Sequence, residues 1–157
     1  MTVNYSARIK FEIIQGFSQL PCCAESFLAA ALRKKNGKSF LRLNRQLIRK
    51  IKMLLSNRLQ KPLQIQSKGC RLYFDNIDAA IFRKKYVERF ARMAFGASNS
   101  KHCQTAFFQG LFLVYGYIQN PGKSYHFEIR LRNKWLISAL KKTARFLKIK
   151  LNSTCKK

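Results

Sequence analysis

The sequence predicts an α+β fold built of two related halves, the second incomplete. Three observations carry this. A helix dominated by small apolar residues and a second rich in apolar and small residues lie some 80 residues apart, each is followed by strand-like alternation, and the helix–strand–helix order begins a second time. With 157 residues the chain buries roughly 70% of its unfolded surface, so a shared core needs no disulfide staples.

The elements follow in order. Ser6 to Gly16 predicts a short helix with Ile9, Ile13 and Ile14 on one face. Pro21 opens the next helix, placed over Cys22 to Lys35, whose middle (Phe27 to Leu32) is apolar all round. Small residues there let a second helix approach closely, and Asn36-Gly37 reads as its C-terminal cap. Lys38 to Leu43 alternates as a strand. Asn44 caps a helix carrying Leu47, Ile48, Ile51, Leu54, Leu55 and Leu59, which Pro62 ends. Strands follow at Leu63 to Gln66 and Cys70 to Phe74, joined at Lys68-Gly69. A helix is expected over Ile77 to Met93, with a basic stretch at Arg83-Lys84-Lys85, and a linker over Phe95 to Lys101. The pattern then restarts: a small-residue helix from His102 to Tyr115 closing at Gly116, a turn at Asn120-Pro121-Gly122, a strand over Ser124 to Leu131, and an amphipathic helix over Asn133 to Phe146. A last strand is expected at Leu147 to Leu151. The chain thus divides into an N-terminal helix (1–20), a first half (21–94) and a second half (100–157).

Charge sets the expected partner. Lys and Arg number 32 against 6 Asp and Glu, a net charge of +26. A folded body so unbalanced repels itself, and a polyanion relieves the repulsion. Nucleic acid fits best, because phosphate contacts reward dispersed Lys and Arg through counterion release. From Leu32 to Gln60 there are ten basic residues and no acid, which reads as a phosphate-tracking surface. The six acids, Glu12, Glu25, Asp75, Asp78, Glu88 and Glu128, read as surface charges or local partners of Lys and Arg. No apolar run approaches the ~18 residues of a membrane span, so neither a membrane nor a small-molecule substrate is expected.

The five cysteines, Cys22, Cys23, Cys70, Cys103 and Cys155, contain no CxxC pair and read as small buried thiols, with no metal and no cofactor expected. Their odd number and the absence of a signal peptide point to a reducing cytoplasm. His102 and His126 read as hydrogen-bonded structural histidines, with no ligand at metal spacing beside them in sequence.

Two buried small-residue helices, each leading into a sheet, resemble the LAGLIDADG endonuclease architecture. The sequence is more specifically similar to the WhiA family of bacterial regulators. The residues that carry this are Cys22-Cys23-Ala24-Glu25-Ser26-Phe27-Leu28-Ala29-Ala30-Ala31-Leu32-Arg33 and His102-Cys103-Gln104-Thr105-Ala106-Phe107-Phe108-Gln109-Gly110-Leu111-Phe112-Leu113. Gly116 to Pro121 and Ser124-Tyr125-His126-Phe127-Glu128-Ile129 extend the match. The resemblance covers Ser6 to Leu151, most weakly between Lys34 and Lys101. It implies duplicated αββαββα halves meeting at two seam helices, with the second half short of its last strand and helix.

It also implies function. A LAGLIDADG nuclease needs an acid at the end of each seam helix to hold metal ions beside the scissile phosphates. Laid over this sequence those positions are Lys35 and Tyr115, and neither is a carboxylate. The resemblance therefore implies a non-catalytic DNA-binding regulator, acting in cell division, chromosome segregation or sporulation, cytoplasmic and associated with the nucleoid. Its partners would be duplex DNA and a protein bound on the LAGLIDADG-like surface. The family's C-terminal helix-turn-helix is not found in this sequence, as in a truncated or split member. A degenerate or active homing endonuclease and an RNA- or ribosome-associated basic protein stand as alternatives. The residues expected to face DNA are Lys38, Arg42, Gln64, Gln66, Arg71, His126 and Arg130, by analogy with sheet faces that line the groove.

Overall fold

A computed structural model describes residues 4–18, 20–58, 65–75, 78–85, 100–124 and 126–154. Helix α1 (Tyr5–Gln15) is followed by α2 (Pro21–Ala31), strands β1 (Arg33–Lys35) and β2 (Lys38–Arg42), and α3 (Arg45–Arg58). Strands β3 (Ile65–Lys68) and β4 (Arg71–Phe74) come next, then α4, helical over residues 79–85. The second half holds α5 (Ser100–Tyr115), β5 (Gly116–Ile118), β6 (Phe127–Ile129) and α6 (Lys134–Phe146). The α+β architecture expected from the sequence is present, with a four-stranded antiparallel sheet β1-β2-β4-β3 in the first half and only a two-stranded sheet, β5-β6, in the second.

The seam is the contact of α2 with α5, the most extensive between any two elements described. It is close because it is lined with small residues. A Cβ on Gly110 would sit 2.8 Å from the Phe27 carbonyl oxygen and 3.1 Å from the Ala30 Cβ, so the backbones meet with no room for a methyl group. Apolar packing lies on both sides. Leu28, Leu32, Leu41, Leu47, Ile51 and Leu72 gather between the sheet's inner face, α1 and α3. Ala29, Ala30, Phe107 and Leu111 meet Leu136 and Leu140 of α6 on the other side. One buried polar bond ties the second half together, the Thr143 hydroxyl donating to Gln104 Oε1 at 2.7 Å.

Caps explain most helix starts. Asn4 Oδ1 accepts from the Ser6 N–H, Asn44 Oδ1 from Leu47 and Asn133 Oδ1 from Leu136. Asp78 does the same for Ala80 and Ile81.

Several expected boundaries move. The seam helix does not run to Lys35: Leu32 is already extended (φ −63°, ψ 136°). Asn36 and Gly37, at φ 50° and 74°, form the tight turn of a hairpin that pairs Lys35 with Lys38, in place of a helix cap. Residues 100 and 101 belong to α5 and not to a linker. Gly116 begins a strand, the strand over Ser124 to Leu131 shrinks to three residues, and Leu147 to Leu151 is not a strand. There Lys148 turns left-handed (φ 58°) and the Ile149 N–H bonds back to the Ala144 carbonyl, closing α6. Leu63 and the stretches 86–93 and 95–99 lie outside the described residues.

Candidate nucleic-acid interface

The four-stranded sheet has one face on the core and one in solvent. Ser39 and Leu41 of β2 and Leu72 and Phe74 of β4 point inward and are buried. Alternation sends Lys38, Phe40 and Arg42, with Arg71 and Tyr73, to the other face. The ladder adds Arg33 opposite Phe40, Lys35 opposite Lys38, Gln66 opposite Tyr73 and Lys68 opposite Arg71.

The outer face therefore carries Arg33, Lys35, Lys38, Arg42, Lys68 and Arg71. Three of its cross-strand neighbours set cation against cation: Lys35–Lys38, Arg42–Arg71 and Lys68–Arg71. Like charges directly opposite one another destabilise a sheet, so the packing of this face carries an electrostatic cost. Its centre is aromatic. Phe40 and Tyr73 pack with ring centroids 6.0 Å apart, and the Arg71 guanidinium lies 5.6 Å from the Phe40 centroid. Arg71 Nη1 also donates to the Tyr73 hydroxyl at 3.3 Å, and that bond pulls the phenol below its ordinary pKa. Asp75 sits at the edge, accepting from Gln66 Nε2 at 2.9 Å.

This face continues to the C-terminal ends of the seam helices. The Arg33 guanidinium lies 4.6 Å from the Tyr115 ring centroid. Arg83 reaches across from α4 and donates to the carbonyls of Ala29 (3.2 Å) and Leu32, capping α2. A nuclease would need carboxylates here. The chain instead places two guanidiniums and a phenol, which disfavour a hard cation. Lys35, the sequence-aligned acid position, is on β1 beyond the helix end, whereas Tyr115 does close α5.

The second sheet differs. His126 and Arg130 are exposed beside β6, but Glu128 lies between them, its Oε2 3.4 Å from His126 Nε2 and its Oε1 2.5 Å from Arg130 Nη2. These contacts, the Arg130 bond first, hold the Glu128 carboxyl below its usual range. Phe127, on the opposite side of the strand, stacks on Phe112 with centroids 5.3 Å apart.

Of the residues expected at DNA, Lys38, Arg42, Gln66 and Arg71 share the outer face, while His126 and Arg130 form a separate, locally paired group. Gln64 lies outside the described residues. The basic run of Leu32 to Gln60 is divided. Arg33, Lys35, Lys38 and Arg42 of β1 and β2 face outward, Lys34 lies opposite the inward Ser39 and pairs with Asp78, and α3 covers the inner side of the sheet and sends Arg45, Arg49 and Lys52 to solvent there. Sequence reading missed Arg33 and Lys68 as members of the face, and Arg83 as a cap. The signal for the first was present: Arg33-Lys34-Lys35 leads into an Asn-Gly hairpin turn.

The opposite, N-terminal ends of the seam helices hold a second cluster. Cys22 and Cys23 open α2, and His102 and Cys103 lie in the first turn of α5. His102 Nδ1 lies 3.2 Å from Cys23 Sγ, 3.4 Å from Cys103 Sγ and 3.8 Å from Cys22 Sγ. All four donor atoms fall within 4.8 Å of one another. Cys23 and Cys103 are buried, and burial pushes both thiols up, Cys103 to about 12. From the sequence the thiols read as small buried groups in no metal pattern and His102 as a histidine with no ligand at metal spacing; in the fold three of the thiols gather around His102. Donors separated by about 80 positions in sequence converge because the two helices start side by side.

Two parallel helices meeting through small residues, each delivering the chain into an antiparallel sheet, define a LAGLIDADG-like fold. Comparison with known proteins narrows this. Residues 104–157 match the family model of the WhiA LAGLIDADG-like domain. The solved N-terminal LAGLIDADG domain of WhiA superposes with a TM-score of 0.63 at 20% identity, covering 93% of this chain and 76% of that one. Full-length WhiA from Thermatoga maritima gives 0.60 at 20% identity over 92% of this chain, which spans 50% of that protein. No curated relative matches by sequence. The chain is WhiA-like, in fold over nearly all its length and in sequence over its C-terminal third.

Proposed function

We propose that this chain is a non-catalytic DNA-binding regulator of the WhiA type, gripping duplex DNA on the outer face of β1-β2-β4-β3. The supporting observation is the convergence of Arg33, Lys35, Lys38, Arg42, Lys68 and Arg71 around Phe40 and Tyr73, with no carboxylate paired to them among the described residues. Guanidiniums and ammoniums track phosphates, and Gln and Arg, as at Gln66 and Arg71, are residue types that read base edges. Arg33 and Arg83 at the seam ends supply positive charge where a nuclease needs carboxylates and metal, so the grip carries no cleavage chemistry. Cell division, chromosome segregation or sporulation would be the setting, with the protein at the nucleoid and a protein partner on the remaining LAGLIDADG-like surface. Among the described residues no helix is long and apolar enough to cross a membrane.

One titration series tests this reading: duplex DNA, single-stranded DNA and structured RNA, each at several salt concentrations, with and without Mg²⁺. The expected result is preference for duplex, a steep fall of affinity with salt and intact strands. Metal-dependent cutting overturns the non-catalytic reading, preference for structured RNA makes the protein an RNA binder, and equal binding to all three polymers reduces it to non-specific electrostatics.

A further inference from the structure

The Cys22–Cys23–His102–Cys103 cluster plays no part in the DNA reading and stands independently of it. We propose that these four residues bind one zinc ion that clamps the N-terminal ends of the two seam helices.

The spacing of the donor atoms suits zinc. With Zn–S near 2.3 Å and Zn–N near 2.0–2.1 Å, a tetrahedral site has ligand atoms about 3.6 Å apart for a sulfur–nitrogen edge and about 3.8 Å for a sulfur–sulfur edge. The three sulfur–nitrogen distances here, 3.2, 3.4 and 3.8 Å, bracket the first value, and the whole donor set lies inside 4.8 Å. Three thiolates and one imidazole make the closed, four-ligand set of a structural zinc site, with no position left open for water.

The surroundings agree. No acidic residue occupies the first turn of α2 or α5, and Leu20 at the start of α2 provides no side-chain cap. Thiolates formed on metal binding would supply the negative charge that two adjacent helix N-termini favour. The cysteine protons pass to solvent as zinc binds, so three thiolates and a neutral imidazole leave the complex at net −1, offset by the helix termini. The ligands come from both halves of the chain, so the ion would cross-link the seam at the end opposite the DNA-facing arginines.

The test uses the intact chain expressed with zinc present and purified under reducing conditions without chelator. Elemental analysis should find about one zinc per chain. Titration of the metal-stripped protein with Co²⁺ should give the intense visible bands and sulfur-to-cobalt charge transfer of a tetrahedral thiolate site. Cys103→Ser and His102→Ala should each lose at least tenfold in metal affinity. His102→Cys should retain the metal, and Cys70→Ser, whose thiol is exposed and apart from the cluster, should behave as the parent. Stripping zinc should lower the Tm by about 10 °C. Folded parent protein that takes up neither zinc nor cobalt overturns the proposal, as does a Cys23→Ser/Cys103→Ser double variant that keeps a full equivalent of zinc. An unchanged Tm on stripping overturns the clamp.

Discussion

The two sheets of this molecule solve the same charge problem in opposite ways. On the outer face of β1-β2-β4-β3, cations face cations across the ladder, while Asp75 is engaged by Gln66 at the edge and Asp78 pairs with Lys34, which lies opposite the inward Ser39. On β5-β6, Glu128 lies between His126 and Arg130 and neutralises them locally. A basic protein can compensate its positive charge locally, residue by residue, or leave it uncompensated, and here the outer faces of the two sheets differ in this way. The sheet whose outer face carries no ion pair among the described residues is the one joined to the arginine-lined ends of the seam helices.

The comparison is broken most severely by removing the unpaired charge. Arg42→Ala/Lys68→Ala/Arg71→Ala should weaken duplex binding about 100-fold at moderate salt and lower the slope of log affinity against log salt by about three. The matched control, Arg45→Ala/Arg49→Ala/Lys52→Ala on the far side of the sheet, should lose less than about fivefold. Fluorescence anisotropy on both triples decides the matter, and equal losses would mean that net charge, not the face, does the binding.

Next in size is a change that disturbs what holds the halves together. Gly110→Ala pushes a methyl group to within 2.8 Å of the Phe27 carbonyl oxygen. Because backbone cannot yield as a flexible side chain does, the cost should be about 2 kcal/mol, a Tm drop of roughly 4–8 °C by calorimetry. Gly69, which has nothing within 4 Å of an added Cβ but sits at φ 59°, is the contrasting case: its penalty is conformational, about 1 kcal/mol, and confined to one turn.

Smaller again is the effect of exposing the second sheet's charge. Glu128→Gln releases Arg130 and His126 from their shared partner, and duplex affinity should rise about threefold, whereas His126→Ala/Arg130→Ala should change it less than twofold. If the double variant instead loses tenfold or more, the second sheet is part of the grip and the contrast drawn above fails.

How much of this was legible in the sequence depends on range. The seam helices announced themselves through Phe27 to Leu32 and Ala106 to Leu113, because small-residue composition is a local property. The inward and outward faces of β2 and β4 followed from strict alternation. The cap at Asn44 was readable for the same reason, whereas Asn133, expected as the first residue of its helix, is that helix's cap. The failures were competitions between two local meanings: Asn36-Gly37 can cap a helix or turn a hairpin, and the run of extended residues from Leu32 decided for the hairpin. The ligand cluster was not legible at all. No single stretch holds a metal pattern, since Cys22-Cys23 and His102-Cys103 become one site only when the two helices pack in parallel. The grouping of Glu128 with His126 and Arg130 is the intermediate case: their shared strand face was visible as alternation, but the pairing of Glu128 with both was not.

The least of the expected effects concerns acid. Glu128 is held below its ordinary pKa chiefly by its bond from Arg130, and Asp78 by its bond from Lys34, then by the N–H groups of Ile81 and Ala80. In both cases the folded carboxyl binds its proton less readily than the unfolded one, so the unfolded state takes up protons first as pH falls. The stabilisation is fully present above the unfolded values, near 4, and is lost as pH drops through the lower folded values. Thermal unfolding between about pH 5 and 2 should therefore show a shallow decline, and Glu128→Gln and Asp78→Asn should each flatten it. The two variants differ in what else they disturb. Asp78 also caps α4, the helix whose Arg83 closes the end of α2, so Asp78→Asn tests whether the seam end feels the loss of that charge, while Glu128→Gln acts on the second sheet alone.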